Sequence, residues 1–255
     1  ENYGDFMSKR LEGKTALVTG GSSGIGTAIV QSLAGEGANV AFTYHSNKEG
    51  AETVLAEIES MGVKGIYFQA DMADYAKAQE IVDQVIEKFG TLDILVNNAG
   101  ANQDRVIWKM TETMWDEVIA TDLKGVFNYI RAAAPIFREK KSGRIITISS
   151  INALRGKFGQ SNYAAAKAGV IGLSKSVAKE MGRANVTVNV VCPGLIATKM
   201  IQSMPDDFKK KALEEIVLGR IGSPEDIAEL TTFLASDSAK HITGEVIKVD
   251  GGQYI

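Results

Sequence analysis

The sequence predicts an α/β fold, a single doubly wound domain with a seven-stranded parallel sheet and helices on both faces. Short apolar, β-branched runs alternate with longer helical patterns along the whole chain. Those runs lack strict polar–apolar alternation, as strands covered on both faces do. No linker rich in Pro, Ser or Gly, no repeat and no low-complexity segment divides the 255 residues. The domain is therefore expected over 9–255. The opening "ENYGDF" lacks the charged-then-apolar order of a signal peptide, and residues 1–8 read as a frayed arm or a cloning remnant.

In chain order the expected strands are "TALVT" from Thr15, "NVAFTY" from Asn39, "GIYFQA" from Gly65, "LDILVN" from Leu92, "RIITIS" from Arg144, "VTVNVV" from Val186 and "EVIKV" from Glu245. Between them lie helices such as "GIGTAIVQSLAGEG", "KEGAETVLAEIESMG" and "AKAQEIVDQVIEKFG", with apolar residues at spacings of three and four and glycine at their ends. All four prolines are expected at breaks or helix starts. The stretch "GLIATKMIQSMPDDFKKKALEEIVLGRIG" is too long for a bare connection, so a small helical lid is expected near 195–222.

Composition narrows the function. Hydrophobic residues make up 45% of the chain, ample for a large core, and 28 basic against 31 acidic residues give a net charge of −3. That balance argues against a nucleic-acid partner. No run approaches the ~18 apolar residues of a spanning helix, so no membrane partner is expected. The lone Cys192 cannot form an internal disulfide, which fits a reducing, cytoplasmic setting. With His45, His241 and that cysteine at no ligand-like spacing, metal catalysis has no support. Cys192, between a β-rich run and Pro193, suits a buried side chain better than a reactive thiolate.

The first strand runs into "TGGSSGIGTA". Gly20, Gly24 and Gly26 can relieve a tight turn, admit phosphate to backbone N–H groups and let the next helix pack on the sheet. An ordinary Gly-rich turn is the bland alternative, but the strand-to-helix context is the one that dinucleotide binding requires. Further on, "YAAAK" sets Tyr163 and Lys167 four residues apart, on one helix face. That geometry suits proton transfer, for which the phenol must be brought toward neutrality. A phenol titrates near ~10, and bringing it down about three units takes roughly 4 kcal/mol of phenolate stabilisation, for which Lys167 is the nearby charge. A tyrosine that merely anchors the helix is the alternative.

"TGGSSGIG", "NNAG" at Asn97–Gly100, "YAAAK", "CPG" at Cys192–Gly194 and the closing "ITGEVIKVDGG" together resemble the short-chain dehydrogenases/reductases, from about Lys9 to Ile255. The run "GRIITISSINALRGKFGQSNYAAAKAGVIGLSKSVAKE" is most similar to the 3-oxoacyl-thioester reductases of that family. The resemblance implies a Rossmann fold and hydride transfer from a nicotinamide to the ketone of an acyl thioester carried on acyl carrier protein or coenzyme A. It implies that Tyr163 is the acid and that Lys167, together with the positive oxidised nicotinamide, stabilises its phenolate. The family's spacing of thirteen residues before Tyr163 marks Ser150 as the hydroxyl that holds the substrate oxygen, leaving Ser149 structural. The family's fourth position is usually Asn, whereas "TDLKG" places Asp122 there. Asp122 is expected to substitute, although its charge would strengthen Lys167 as a cation and oppose phenolate formation.

For the cofactor, the resemblance adds Ser22, Ser23 and Ile25 in the loop, Asp71 and Met72 at the adenine, Asn98, Ala99 and Gly100 at the ribose and nicotinamide, and Pro193, Gly194, Ile196 and Thr198 at the carboxamide, with Tyr163 and Lys167 beside them. The second strand ends in Thr43, Tyr44, His45, Ser46, Asn47 and Lys48 with no Asp or Glu. A carboxylate there would favour NAD(H) and repel a 2′-phosphate, so NADP(H) is expected and NAD(H) is the alternative. Ser23 weighs the other way, because many NADP-dependent relatives carry arginine at that position.

Expected substrate contacts are Asn102, Gln103, Ser150, Leu154, Phe158 and Gln160 near the inferred mouth. Met200, Ile201, Met204 and Phe208 either line an acyl channel or pack the lid down. Arg105, Lys140, Lys141, Arg155 and Lys157 are candidates for meeting an acidic carrier or phosphates. Helices over 113–141 and 160–181 are the family's pairing surfaces, which implies a homotetramer. Beside the thioester reductase stand a dehydrogenase of another secondary alcohol and a cofactor-binding sensor without turnover.

Overall fold

Successive side chains of a strand point to opposite faces, so a strand covered on both sides of the sheet buries consecutive residues and reads as a mainly apolar run. The computed structural model, which describes residues 9–198, 210–211 and 213–255, shows this in β1 (Thr15–Val18), β4 (Ile94–Asn97), β5 (Gly143–Ile148) and β6 (Val186–Pro193), all fully buried. With β2 (Asn39–Tyr44), β3 (Gly65–Gln69) and β7 (Val246–Val249), they form one parallel sheet in the order β3-β2-β1-β4-β5-β6-β7. Alternate residues feed two cores: Ala16, Val18, Ile94 and Val96 on one face, Leu17 and Leu95 on the other.

The first core is closed by α1 (Gly24–Gly35), α2 (Lys48–Ser60) and α8 (Pro224–Ala235), and the second by α3 (Tyr75–Phe89), α5 (Gly125–Lys140) and α7 (Ser161–Met181). Side-chain caps start several of them: Asn47 accepts from Gly50, Asp74 from Lys77, and Ser223 with Asp226 forms a capping box behind Pro224. The short α4 (Glu112–Ile119) continues through a π turn at Ala120–Lys124 into α5. The short helix α6 (Asn152–Arg155) follows β5.

One proline departs from expectation. Pro135 lies inside α5 instead of at a break. The carbonyl it leaves without a partner belongs to Arg131, and both residues sit on the exposed side of the helix, where water can serve that group. Residues 1–8 and much of the expected lid, with Met200, Ile201, Met204 and Phe208, lie outside the described residues. Among the described residues no helix is long and apolar enough to cross a membrane.

Candidate active site

Strand order reverses between β1 and β4, which neighbour each other while their chains turn to opposite sides, and this opens a crevice at their C-terminal ends. Thr19 clamps it. Its hydroxyl accepts from the N–H groups of Asn98 (3.0 Å) and Ala99 (3.1 Å), while the Asn98 amide donates to the carbonyls of Thr19 (3.0 Å) and Gly20 (3.1 Å). On the other side the Gly20 N–H donates to Thr43 Oγ1 (3.1 Å), and Asn47 Nδ2 donates to the Ser22 carbonyl (2.9 Å). The glycine loop is thus pinned to both neighbouring strands before any ligand arrives.

A cleft of about 400 Å³ runs along this loop. It is lined by Gly20, by Ser22 through Gly26, by Thr43 through Asn47, by Ala70 and Met72, by Asn98 through Gly100, and by Thr198. Ser23, at the N-cap of α1, makes no side-chain cap bond, so the helix N-terminus faces the cleft with donors to offer. A Cβ on Gly26 would lie 2.0 Å from the Gly20 carbonyl oxygen and 2.6 Å from Asn98 Nδ2, so only glycine fits this cradle. These residues suit the phosphates of a dinucleotide.

Thr43 lines the cleft with the rest of the run that ends the second strand, whereas Ala70 and Thr19 are additions to the expected set; a threonine closing a strand before a glycine loop is the only local signal for Thr19. Asp71, Pro193, Gly194 and Ile196 do not line the cleft. Asp71 accepts from the Ala73 N–H (2.9 Å), the Pro193 carbonyl takes the Ile151 N–H (3.0 Å), the Gly194 N–H goes to Val249 (3.0 Å), and Ile196 is buried in the first core. Asn47 spends its amide on the α2 cap and on Ser22, and Lys48 pairs with Glu52 at 3.5 Å.

Tyr163 and Lys167 rise from α7 as their spacing requires, with Lys167 Nζ 5.6 Å from the phenol ring centre. Ser149, after β5, donates to the Lys167 carbonyl (2.7 Å) and is structural, whereas Ser150 hydrogen-bonds Tyr163. Lys167 is almost wholly buried; its Nζ donates to the Ile148 carbonyl (3.3 Å) and pairs with Asp122 Oδ2 at 3.3 Å. The other Asp122 oxygen accepts the Ala101 N–H (2.7 Å).

Burial pushes the Tyr163 phenol up; Lys167 pulls it down, Asp122 pushes it up again, and the net direction is upward. Lys167 lowers the phenol as expected, but by itself does not bring it below its ordinary value. The physical reason is that desolvation disfavours phenolate, and Asp122 offsets part of the lysine's charge. Burial also lowers Lys167, but Asp122 and Tyr163 outweigh it and hold the ammonium above its ordinary value. Cys192 is fully buried and its thiol is raised, chiefly by burial.

Beside this cluster, Gln160 is buried, accepting from Asn152 Nδ2 (3.0 Å) and donating to both Asp104 oxygens (3.1 and 2.9 Å). It ties the loops after β4 and β5 together. Gln103 donates to Glu117 (3.0 Å), and Asn102 is exposed. Leu154 and Phe158 are exposed, and Phe158 meets Trp108 edge-on at 6.5 Å. Of the basic candidates, Lys140 and Lys141 were misplaced. Lys140 bonds Asp93 (2.6 Å) and the Leu92 carbonyl at the entrance to β4, the end of the sheet opposite the cleft, and Lys141 follows it there. Arg155 pairs with Glu215 at 3.0 Å, and Arg105 is exposed. Among the described residues no cluster of His, Cys, Asp and Glu could hold a metal ion.

A doubly wound sheet, a glycine-lined cleft at its switch point and a Ser–Tyr–Lys cluster beside it define the nicotinamide-dependent oxidoreductase class. A family signature described as "Enoyl-(Acyl carrier protein) reductase" matches residues 20–253. The chain is 48% identical over 242 residues, 95% of its length and 98% of the relative's, to the 3-oxoacyl-[acyl-carrier-protein] reductase FabG of Staphylococcus aureus. It is 42% identical to the protein of that name from Thermotoga maritima, over 96% of this chain and all of that one. A crystal structure from Sinorhizobium meliloti 1021, described as a candidate short-chain alcohol dehydrogenase, superposes with a TM-score of 0.92 at 35% identity, covering 96% of this chain and 98% of that chain. The chain belongs to the short-chain dehydrogenase/reductase family.

Gly26→Ala is expected to cost about 1–3 kcal/mol of stability by overpacking the loop. It should also weaken dinucleotide binding roughly tenfold or more. Thermal unfolding and cofactor titration check both.

Proposed function

We propose that the protein reduces the ketone of a 3-oxoacyl thioester, carried on acyl carrier protein or coenzyme A, to the 3-hydroxyacyl thioester with NADP(H). The observation that carries the reading is the Ser150–Tyr163–Lys167 cluster beside the glycine-lined cleft, in a chain that shares nearly half its residues with relatives named for this reaction. When bound, the dinucleotide supplies the hydride. Ser150 and Tyr163 hold the carbonyl oxygen, so that oxygen sits against two donors as it gains charge. As the carbonyl π pair moves to oxygen, the Tyr163 O–H bond breaks and its proton goes to that oxygen; solvent later reprotonates the phenol. Lys167, a buried cation, steadies the phenolate in between.

The preference for NADP(H) is supported by the absence of any Asp or Glu among the described residues lining the cleft, since a carboxylate there would repel a 2′-phosphate. Asn102, Leu154 and Phe158 remain the proposed substrate contacts. A homotetramer paired through α4–α5 and α7 is part of this reading, supported by exposed Trp115 and Phe127 on the first of those surfaces. A secondary alcohol other than a hydroxyacyl thioester is the second reading, favoured by the description of the Sinorhizobium structure.

The test follows the loss of reduced-nicotinamide absorbance with acetoacetyl-CoA, running NADPH and NADH in parallel. Rapid oxidation of NADPH is expected. Preference for NADH would overturn the cofactor assignment, and no turnover with either would favour the second reading.

A further inference from the structure

The side chain at the centre of the site that the reading above leaves without a task is Asp122. It is fully buried, and it comes from the π turn between α4 and α5, where the helix widens by one residue. One oxygen is fixed by the Ala101 N–H at 2.7 Å, in the loop that leaves β4, and the other lies 3.3 Å from Lys167 Nζ. Gly100 leaves just enough space for this pair: a Cβ there would lie 2.9 Å from Asp122 Oδ2 and 3.1 Å from Lys167 Nζ. The carboxylate is therefore built into the site and held in one orientation.

We propose that Asp122 is a positioning residue that offsets part of the Lys167 charge, so that the site holds its phenolic proton to a higher pH than it would beside the lysine alone. This rests on the assignment of Tyr163 as the acid. The charged and titratable groups facing Tyr163 are Lys167 on its own helix, Asp122 from the π turn and Asp104 from the loop after β4. Facing Lys167 are Asp122, Tyr163 and Cys192 from β6. Both carboxylates raise the phenol, and only Lys167 and the Ser150 hydroxyl lower it. With the Asp122 carboxyl 3.3 Å from the Lys167 ammonium, the lysine's attraction for phenolate is reduced, not abolished.

The overall equilibrium of the reaction is untouched by such a device. What shifts is the pH range in which the enzyme holds the proton it must give to a ketone oxygen. Ketone reduction should therefore persist to higher pH, and oxidation of the hydroxyl product, which needs phenolate, should begin later, than in the same site with a neutral side chain at 122.

Asp122→Asn removes the charge while keeping an oxygen that can take the Ala101 N–H. Tyrosinate absorbance of the substrate-free protein, titrated through the alkaline range against the same variant carrying Tyr163→Phe, isolates the Tyr163 ionisation. The expected result is a midpoint lower by about one unit or more, a tenfold or greater rise in the phenolate-to-phenol ratio at fixed pH. The alkaline limit of ketone reduction should fall with it. An unmoved or higher midpoint would overturn the proposal. Should Asp122→Asn fail to fold, Asp122→Ala is read the same way. Because the titration uses no substrate, it stands even if the chain acts on a different alcohol, whereas an acetoacetyl-CoA assay that fails with a normal midpoint shift tells against the substrate reading alone.

Discussion

Tyr163→Phe is expected to lower turnover by roughly 10²–10⁴-fold, the range for removing a positioned general acid. The phenol oxygen is the only atom lost, its hydrogen-bond partner is Ser150, and neither Lys167 nor Asp122 uses it as a hydrogen-bonding support. The fold and the dinucleotide cleft, which Tyr163 does not line, should therefore be unchanged. Steady-state rates, cofactor titration and thermal unfolding of the variant separate the two effects. A variant that kept more than about a tenth of the parent rate would mean that another donor, such as water held by Ser150, supplies the proton.

Lys167→Met has the larger structural consequence. The Asp122 side chain has no exposed surface, and Lys167 is its only charged partner in the structure among the described residues. Removing one member of a buried pair strands the other's charge, at about 3–5 kcal/mol. For a chain of this size that is a fall in Tm of roughly 10 °C, together with loss of the support for phenolate. The double variant Lys167→Met with Asp122→Asn should recover much of the stability and none of the activity. Two neutral side chains no longer leave an orphaned charge, and the cycle of single and double variants gives the coupling directly. Equal stability of Lys167→Met and the parent would show that Asp122 does not depend on the lysine.

Features fixed by neighbours in the chain are legible in the amino-acid sequence. The strand–helix alternation implies the doubly wound sheet, because a parallel strand covered on both faces reads as a mainly apolar run, and β1, β4, β5 and β6 do, with a few buried polar residues such as Arg144 and Asn189. The i, i+4 spacing alone sets Tyr163 and Lys167 on one face of α7, and the glycines alone mark the turn after β1. Pro135 shows where local rules mislead: it reads as a break, yet it is tolerated in α5 because the carbonyl it leaves open faces solvent.

Groups brought together from distant parts of the chain are not legible in that way. Thr19 holding Asn98, Gln160 holding Asp104, and Lys140 anchored to Asp93 at the far end of the sheet each join residues many positions apart, and no local pattern records those pairings. The same holds for the environment of Tyr163. By itself the sequence determined the fold, the glycine loop after β1 and the identity and spacing of the Ser150, Tyr163 and Lys167 side chains. Only the tertiary structure decided which way the phenol shifts, because that depends on how deeply Tyr163 is buried and on a carboxylate from another helix lying 3.3 Å from the lysine, and electrostatic energy follows distance and solvent exclusion, which sequence separation does not encode.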